Sequence, residues 1–155
     1  MRLRDYLQRE LVFTISPGPS SKPELLEQLA RLVGERVEGL DPAQLVARLA
    51  EREGQISTGI GHGVAIPHAT LDGLAAPVCV IVQVPGGCDY GALDQSPVCV
   101  LFLLLSPPEQ TGHHIRLLAR IARLVDDRSF VENLARAADP EAIYELAVAE
   151  DGRHV

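Results

Sequence analysis

The sequence predicts a single α/β domain in which a mixed β-sheet is covered by helices on both faces. Three observations lead there. Two long apolar runs, over 78–84 and 98–105, lack the alternation of a half-exposed strand, so they read as sheet interior shielded on both sides. Amphipathic segments flank them, several opened by a Ser or Asp start signal. The 155 residues suit one domain, and a hydrophobic fraction of 46% supplies a core and excludes a disordered chain.

Residues 1–10 read as a short helix or turn. Leu11-Val12-Phe13-Thr14-Ile15 is the first strand, closed by Ser16-Pro17-Gly18-Pro19. Ser21-Lys22-Pro23-Glu24 has the spacing of a capping box and opens a helix with Leu25, Leu26, Leu29, Leu32 and Val33 as its apolar stripe. Asp41-Pro42 repeats the start signal, with the proline at the first helical position. Leu45, Val46 and Leu49 face the core, and this helix ends near residues 51–54. Val64-Ala65-Ile66 is a short buried strand that Pro67 stops, leaving His68 just past its end.

After the 78–84 strand, Pro85-Gly86-Gly87 turns the chain, and residues 89–97 form a polar connection. Ser106-Pro107-Pro108-Glu109 follows the second long strand and has the cap-plus-proline pattern. The next helix runs through residues 114–125 and stops at Asp126-Asp127. A short helix covers 129–137, and Asp139-Pro140 caps a last one carrying Ile143, Leu146 and Ala147. The domain is read as residues 1–150, with 151–155 as a flexible, frayed tail.

Net charge is −7 and Lys22 is the sole lysine, a poor match to a phosphate backbone, so nucleic-acid binding is disfavoured. Cys79, Cys88 and Cys99 show no metal-ligand spacing. Cys79 and Cys99 sit in apolar runs and read as small core residues. An odd cysteine count without a signal-peptide pattern points to a reducing cytoplasm. No apolar run reaches the roughly 18 residues that a membrane span needs.

The most informative stretch is Ser57-Thr58-Gly59-Ile60-Gly61-His62-Gly63-Val64-Ala65-Ile66-Pro67-His68-Ala69. Alternate glycines allow sharp bends and close backbone approach, and the strand and proline then hold an imidazole at the rim of a sheet. The glycine spacing is not a dinucleotide fingerprint, because a strand follows rather than a helix. No Walker lysine and no nucleophile elbow occur. His62, His68 and His114 are the histidines able to meet at a metal, yet no helical His pair or Cys pair supports that reading, and no cofactor is called for.

Residues 59–69 resemble the active-site signature of the EIIA domains of the phosphoenolpyruvate-dependent sugar phosphotransferase system. The match is to the fructose/mannitol branch, which includes the nitrogen-regulatory EIIA proteins. The resemblance implies the same mixed α/β architecture. It implies that His68 is the phosphorylated residue, at Nε2; the lack of a long apolar run leaves no direct membrane insertion expected. It implies a phosphotransferase-type carrier that takes phosphate from HPr, or a nitrogen-type HPr, and passes it to an EIIB cysteine for sugar uptake. The alternative is a stand-alone regulatory EIIA whose phosphorylation state governs binding to partner proteins.

Two further residues are candidates. His114, Leu117, Leu118 and Ile121 share one helical face, so His114 points inward while His113 falls with Arg116 and Arg120 on the solvent side. His114-Ile115-Arg116-Leu117-Leu118 is similar to the family's helix headed by a second histidine, which implies hydrogen-bond donation to the phosphoryl oxygens. Arg52 reads on its own as a helix-end cation. The resemblance places an arginine there, which implies charge stabilisation of the phosphate. His62 departs from the family pattern, where an uncharged polar residue such as Asn is common, and reads as a loop histidine.

Overall fold

A computed structural model of the chain describes residues 2–55 and 58–154. In order these form β1 (Leu7–Thr14), α1 (Lys22–Gly34), α2 (Pro42–Gln55), β2 (Gly59–Gly61), β3 (Val64–Ala65), β4 (His68–Thr70), β5 (Val78–Cys88), β6 (Val98–Ser106), α3 (Thr111–Val125), α4 (Arg128–Arg136) and α5 (Pro140–Arg153). The strands make one mixed sheet in the order β1-β5-β6-β3-β2, with β4 also paired to β6. β5 and β6 run antiparallel, whereas β1 is parallel to β5, and β3 and β4 are parallel to β6.

The two long strands are mostly apolar because each face meets a different helical layer. Leu101, Leu103 and Leu105 of β6 pack with Leu25, Leu29, Leu45 and Leu49 of α1 and α2. Val100, Phe102 and Leu104 pack with Leu117, Ile121, Phe130 and Ile143 of α3, α4 and α5. Period-two alternation thus sends successive leucines to opposite cores. Each fully buried side chain of this kind contributes about 1.5–3 kcal/mol.

The helix starts follow the expected chemistry, with two differences. Ser21 accepts from the Glu24 amide and Asp41 from the Ala43 amide, but the Glu24 carboxylate bonds Ser20 rather than Ser21. Asp139 accepts from the Ala142 amide at 2.8 Å. Ser106 is not a cap. It is the last residue of β6, fully buried, and a 3-10 turn at Pro108–Gln110 intervenes before α3. Its hydroxyl is engaged by the ring of His114 instead of a helix amide.

Other expectations are corrected as well. β1 starts at Leu7, ahead of the predicted strand, and only Leu3–Asp5 forms a short 3-10 turn. A register shift between Leu7 and Val12 places the exposed Gln8, Arg9 and Glu10 together, which hides the alternation. β5 continues past the Pro85-Gly86-Gly87 turn to Cys88, with its register to β6 shifted after Gln83. His68 opens β4 rather than following a strand end.

Further corrections concern the tail and its surroundings. α5 continues to Arg153, and Asp151 is buried. Arg120 donates to its carboxylate at 2.6 Å, so Arg120 is not on the solvent side. The Arg4 amide and the Arg2 guanidinium also bind Asp151. Cys79 is buried as expected, whereas Cys99 is half-buried. Among the described residues, no helix is long and apolar enough to cross a membrane.

Candidate active site

His68, His114 and Arg52 come together. They line one cleft of about 370 Å³ with Arg48, Glu51, Ala69, Thr70 and Leu118. The ladder explains how two of them meet. His68 lies opposite Leu104 and Thr70 opposite Ser106 in parallel register, and paired residues point to the same face of a sheet. Leu104 packs into the core beneath α3, so His68 faces α3 as well. His114, four residues into α3, points back at it, with ring centroids 5.7 Å apart.

Arg52 arrives from the other helical layer. β4 sits at the margin of the sheet, and α2 packs against it, so the last turn of α2 reaches the cleft around that margin. The cleft therefore opens where two layers meet at a sheet edge.

His68 is half-buried, and its Nδ1 lies 2.8 Å from the carbonyl oxygen of Ile66. A carbonyl only accepts, so Nδ1 carries the proton and donates. The lone pair is left on Nε2, the nitrogen available to the cleft. The ring is held by its own backbone two residues upstream, on the extended stretch that Pro67 stiffens.

His114 is buried, with Nδ1 2.7 Å from Ser106 Oγ. Burial pushes its imidazole below the ordinary histidine value, and the neighbouring His68 and Arg52 push the same way. A neutral His114 in a cleft with guanidinium groups is an uncharged hydrogen-bonding ring beside cations.

The residue after Arg52 along α2, Glu53, has a buried carboxylate. Glu53 accepts from Lys22 Nζ at 2.9 Å, from the Tyr90 hydroxyl at 2.8 Å, and from the Thr58 amide and hydroxyl. Lys22 also lies over the Tyr90 ring, 4.4 Å from its centroid. Burial alone would raise the Glu53 carboxyl, but Thr58, Lys22 and Tyr90 together hold it below its usual range. The cluster ties the end of α2 to the glycine-rich segment. That segment's first residue, Ser57, lies outside the described residues. A side chain on Gly59 would run into Ala92, and Gly61 has φ +98°, so both positions require glycine.

His62 does not join the cleft's lining. It is exposed, with φ 57°, and its Nε2 is 3.0 Å from Arg128 Nη2. Its amide donates to Asp94, whose carboxyl is held below the usual range by that bond and one from the Ser96 amide. The left-handed backbone is one that His tolerates better than most residues. Among the described residues no group of three His, Cys, Asp or Glu is placed to hold a metal ion.

Sequence reasoning missed Arg48 and Ser106. Arg48 had a signal, because it precedes Arg52 by one helical turn on the same face. Ser106 was obscured by its resemblance to a cap, although strand parity places it on the same face as His68.

The model of the family described as "Phosphoenolpyruvate-dependent sugar phosphotransferase system, EIIA 2" matches residues 5–148. The chain belongs to this EIIA family. A nitrogen regulatory protein of Pseudomonas aeruginosa is 38% identical to the EIIA chain over 132 residues, which cover 85% of each. The crystal structure of nitrogen regulatory protein IIA-Ntr from Neisseria meningitidis superposes with a TM-score of 0.83 at 26% identity, covering 94% of this chain and 98% of that one. The Escherichia coli complex of the mannitol enzyme IIA with phosphorylated enzyme IIB shares the fold, with a TM-score of 0.74 at 21% identity over 92% and 99% of the chains.

Proposed function

We propose that this EIIA chain carries a phosphoryl group on Nε2 of His68. The supporting observation is the Nδ1 contact to the Ile66 carbonyl, which leaves Nε2 as the lone-pair nitrogen of a ring lining a cleft with Arg48 and Arg52. In the loading step the Nε2 lone pair attacks the phosphorus of a donor phosphohistidine on HPr or its nitrogen-type counterpart. The donor P–N bond breaks, and its electron pair returns to the donor ring. In the unloading step an EIIB cysteine thiolate attacks phosphorus, and the pair returns to Nε2.

Such transfer asks for alignment and charge stabilisation rather than further covalent help. Arg52 supplies a planar fork of donors for the dianion. His114 donates a hydrogen bond to a phosphoryl oxygen without adding charge. The N-terminal end of α3, which carries His114, is itself favourable to an anion.

The mannitol enzyme IIA of the complex has a phosphorylated IIB as its partner, which supports an EIIB acceptor for this chain. The name of the Pseudomonas relative favours a second reading, in which the loaded and unloaded states bind different regulated proteins. Both readings share the loading step. Incubation with labelled phosphoenolpyruvate, Enzyme I and HPr is expected to label the wild-type chain and to leave His68→Ala unlabelled. Label on His68→Ala at the wild-type level would falsify the assignment. Adding an EIIB domain then separates the readings, since onward transfer supports uptake. State-dependent capture of another protein without transfer supports regulation.

A further inference from the structure

We infer that Ser106 is a positioning residue that sets the tautomer of His114, donating its hydroxyl hydrogen to Nδ1 so that the ring keeps its own proton on Nε2. The proposal deepens the carrier reading. It concerns which atom of the second histidine holds a proton before any phosphate arrives.

Ser106 is fully buried at the end of β6, and its Oγ lies 2.7 Å from His114 Nδ1. Among the described residues the hydroxyl has no other hydrogen-bond partner. Two arrangements fit that distance. If Nδ1 carried the proton and donated to Oγ, the hydroxyl hydrogen would be a buried donor with nothing to accept it. If the hydroxyl donates to the Nδ1 lone pair, every buried donor is satisfied, and only an oxygen lone pair is left over. Unpaired buried donors are costly and rare, whereas a spare lone pair is tolerated. The second arrangement is therefore the stable one.

It places N–H on Nε2, the ring atom left for the cleft. The groups lining that cleft with His114 include His68, Arg48, Arg52 and Glu51. His68 is held the opposite way, with N–H on Nδ1 against the Ile66 carbonyl and the lone pair on Nε2. One ring thus offers an electron pair and the other a proton, which is the combination that an incoming phosphoryl group needs. Ser106 serves both sides, because its backbone carbonyl accepts from the Leu71 amide at 2.9 Å and so pins the strand that carries His68. A substitution that keeps the backbone leaves that second contact intact.

Nitrogen-15 NMR of the unphosphorylated, histidine-labelled chain tests the tautomer without any donor or acceptor protein. Above the titration range, His114 is expected to show a pyridine-type Nδ1 and a pyrrole-type Nε2, and His68 the reverse. A pyridine-type Nε2 on wild-type His114 overturns the proposal, even if the labelling assay still supports His68 as carrier. In Ser106→Ala the His114 signals should move toward the other tautomer, and onward transfer should slow roughly tenfold, the scale of losing a partner that orients a reacting group. Ser106→Thr restores the hydroxyl and should restore both readouts. Slow transfer with unchanged His114 signals in Ser106→Ala would mean a merely structural role and would also overturn the proposal. If Ser106→Ala does not fold, the wild-type and Ser106→Thr spectra still decide.

Discussion

The two histidines of the cleft are held by unlike means. His68 is fixed by a carbonyl of its own backbone, two residues away. His114 is fixed by a serine side chain on a strand eight residues upstream. The first restraint contains no side chain, so no point substitution can delete the accepting atom. The second depends on one hydroxyl. The difference teaches that robustness is not spread evenly over this site. His68, the ring proposed to carry phosphate, has a restraint that no side-chain change removes, and His114 has one that a single change removes.

The sharpest way to break the comparison is to remove each ring in turn. His68→Ala should reduce labelling by the phosphoenolpyruvate, Enzyme I and HPr mixture to background. His114→Ala should still accept label while onward transfer falls about 100-fold, the scale of a lost donor to a developing oxyanion. His114→Gln should retain more activity than His114→Ala, because its amide offers N–H near the position of Nε2. Equal losses in the two variants would mean that the ring, and not its proton, matters. These rates are read by quenched-flow transfer to an EIIB domain.

Arg52→Lys keeps the charge and loses the fork, so transfer should slow by about tenfold. A smaller loss would leave the burden on the histidines.

The pH dependence follows from the same contrast. His114 and Glu53 both have folded pKa values lowered from their ordinary 6.5 and 4.5. Each favours the deprotonated form in the fold, so each contributes stability above its unfolded value that is lost as pH falls through the folded one. The thermal midpoint should therefore decline first below about pH 6.5 and again below about pH 4.5. His114→Gln should flatten the first decline. Glu53→Gln should flatten the second while lowering stability at neutral pH by about 3 kcal/mol, since the carboxylate that Lys22, Thr58 and Tyr90 all bond is neutralised. The smallest effect is expected for His62→Asn. It should leave transfer rates unchanged and shift stability by no more than about 0.5 kcal/mol, the usual range for an exposed position.

Much of the fold was legible because each long strand is sealed between two cores, which writes an almost unbroken apolar run into residues 78–84 and an unbroken one into 98–105. The inward face of His114 was legible from helical periodicity. The meeting of His68 and His114 followed only from the family resemblance, because it depends on the pairing of β4 with β6, and a three-residue strand has no pattern of its own. The start of β1 was hidden by the register shift that exposes Arg9 and Glu10. Ser106 was misread because Ser-Pro-Pro looks like a helix start when the burial of the hydroxyl is unknown. The continuation of α5 was missed because an acidic stretch before a chain end suggests solvent, whereas Asp151 is answered by Arg120 from a helix 31 residues earlier.

The backbone grip on His68 also bears on what a regulatory partner can detect. A ring tethered to its own main chain and seated in a hydrogen-bonded ladder has little freedom to swing when it is modified. A phosphoryl group would therefore alter the local field by nearly two units of charge while leaving the scaffold in place. Such a field fades over about 8 Å in physiological salt. A protein that distinguishes the two forms must then press against the mouth of this cleft, and what it reads is voltage rather than shape.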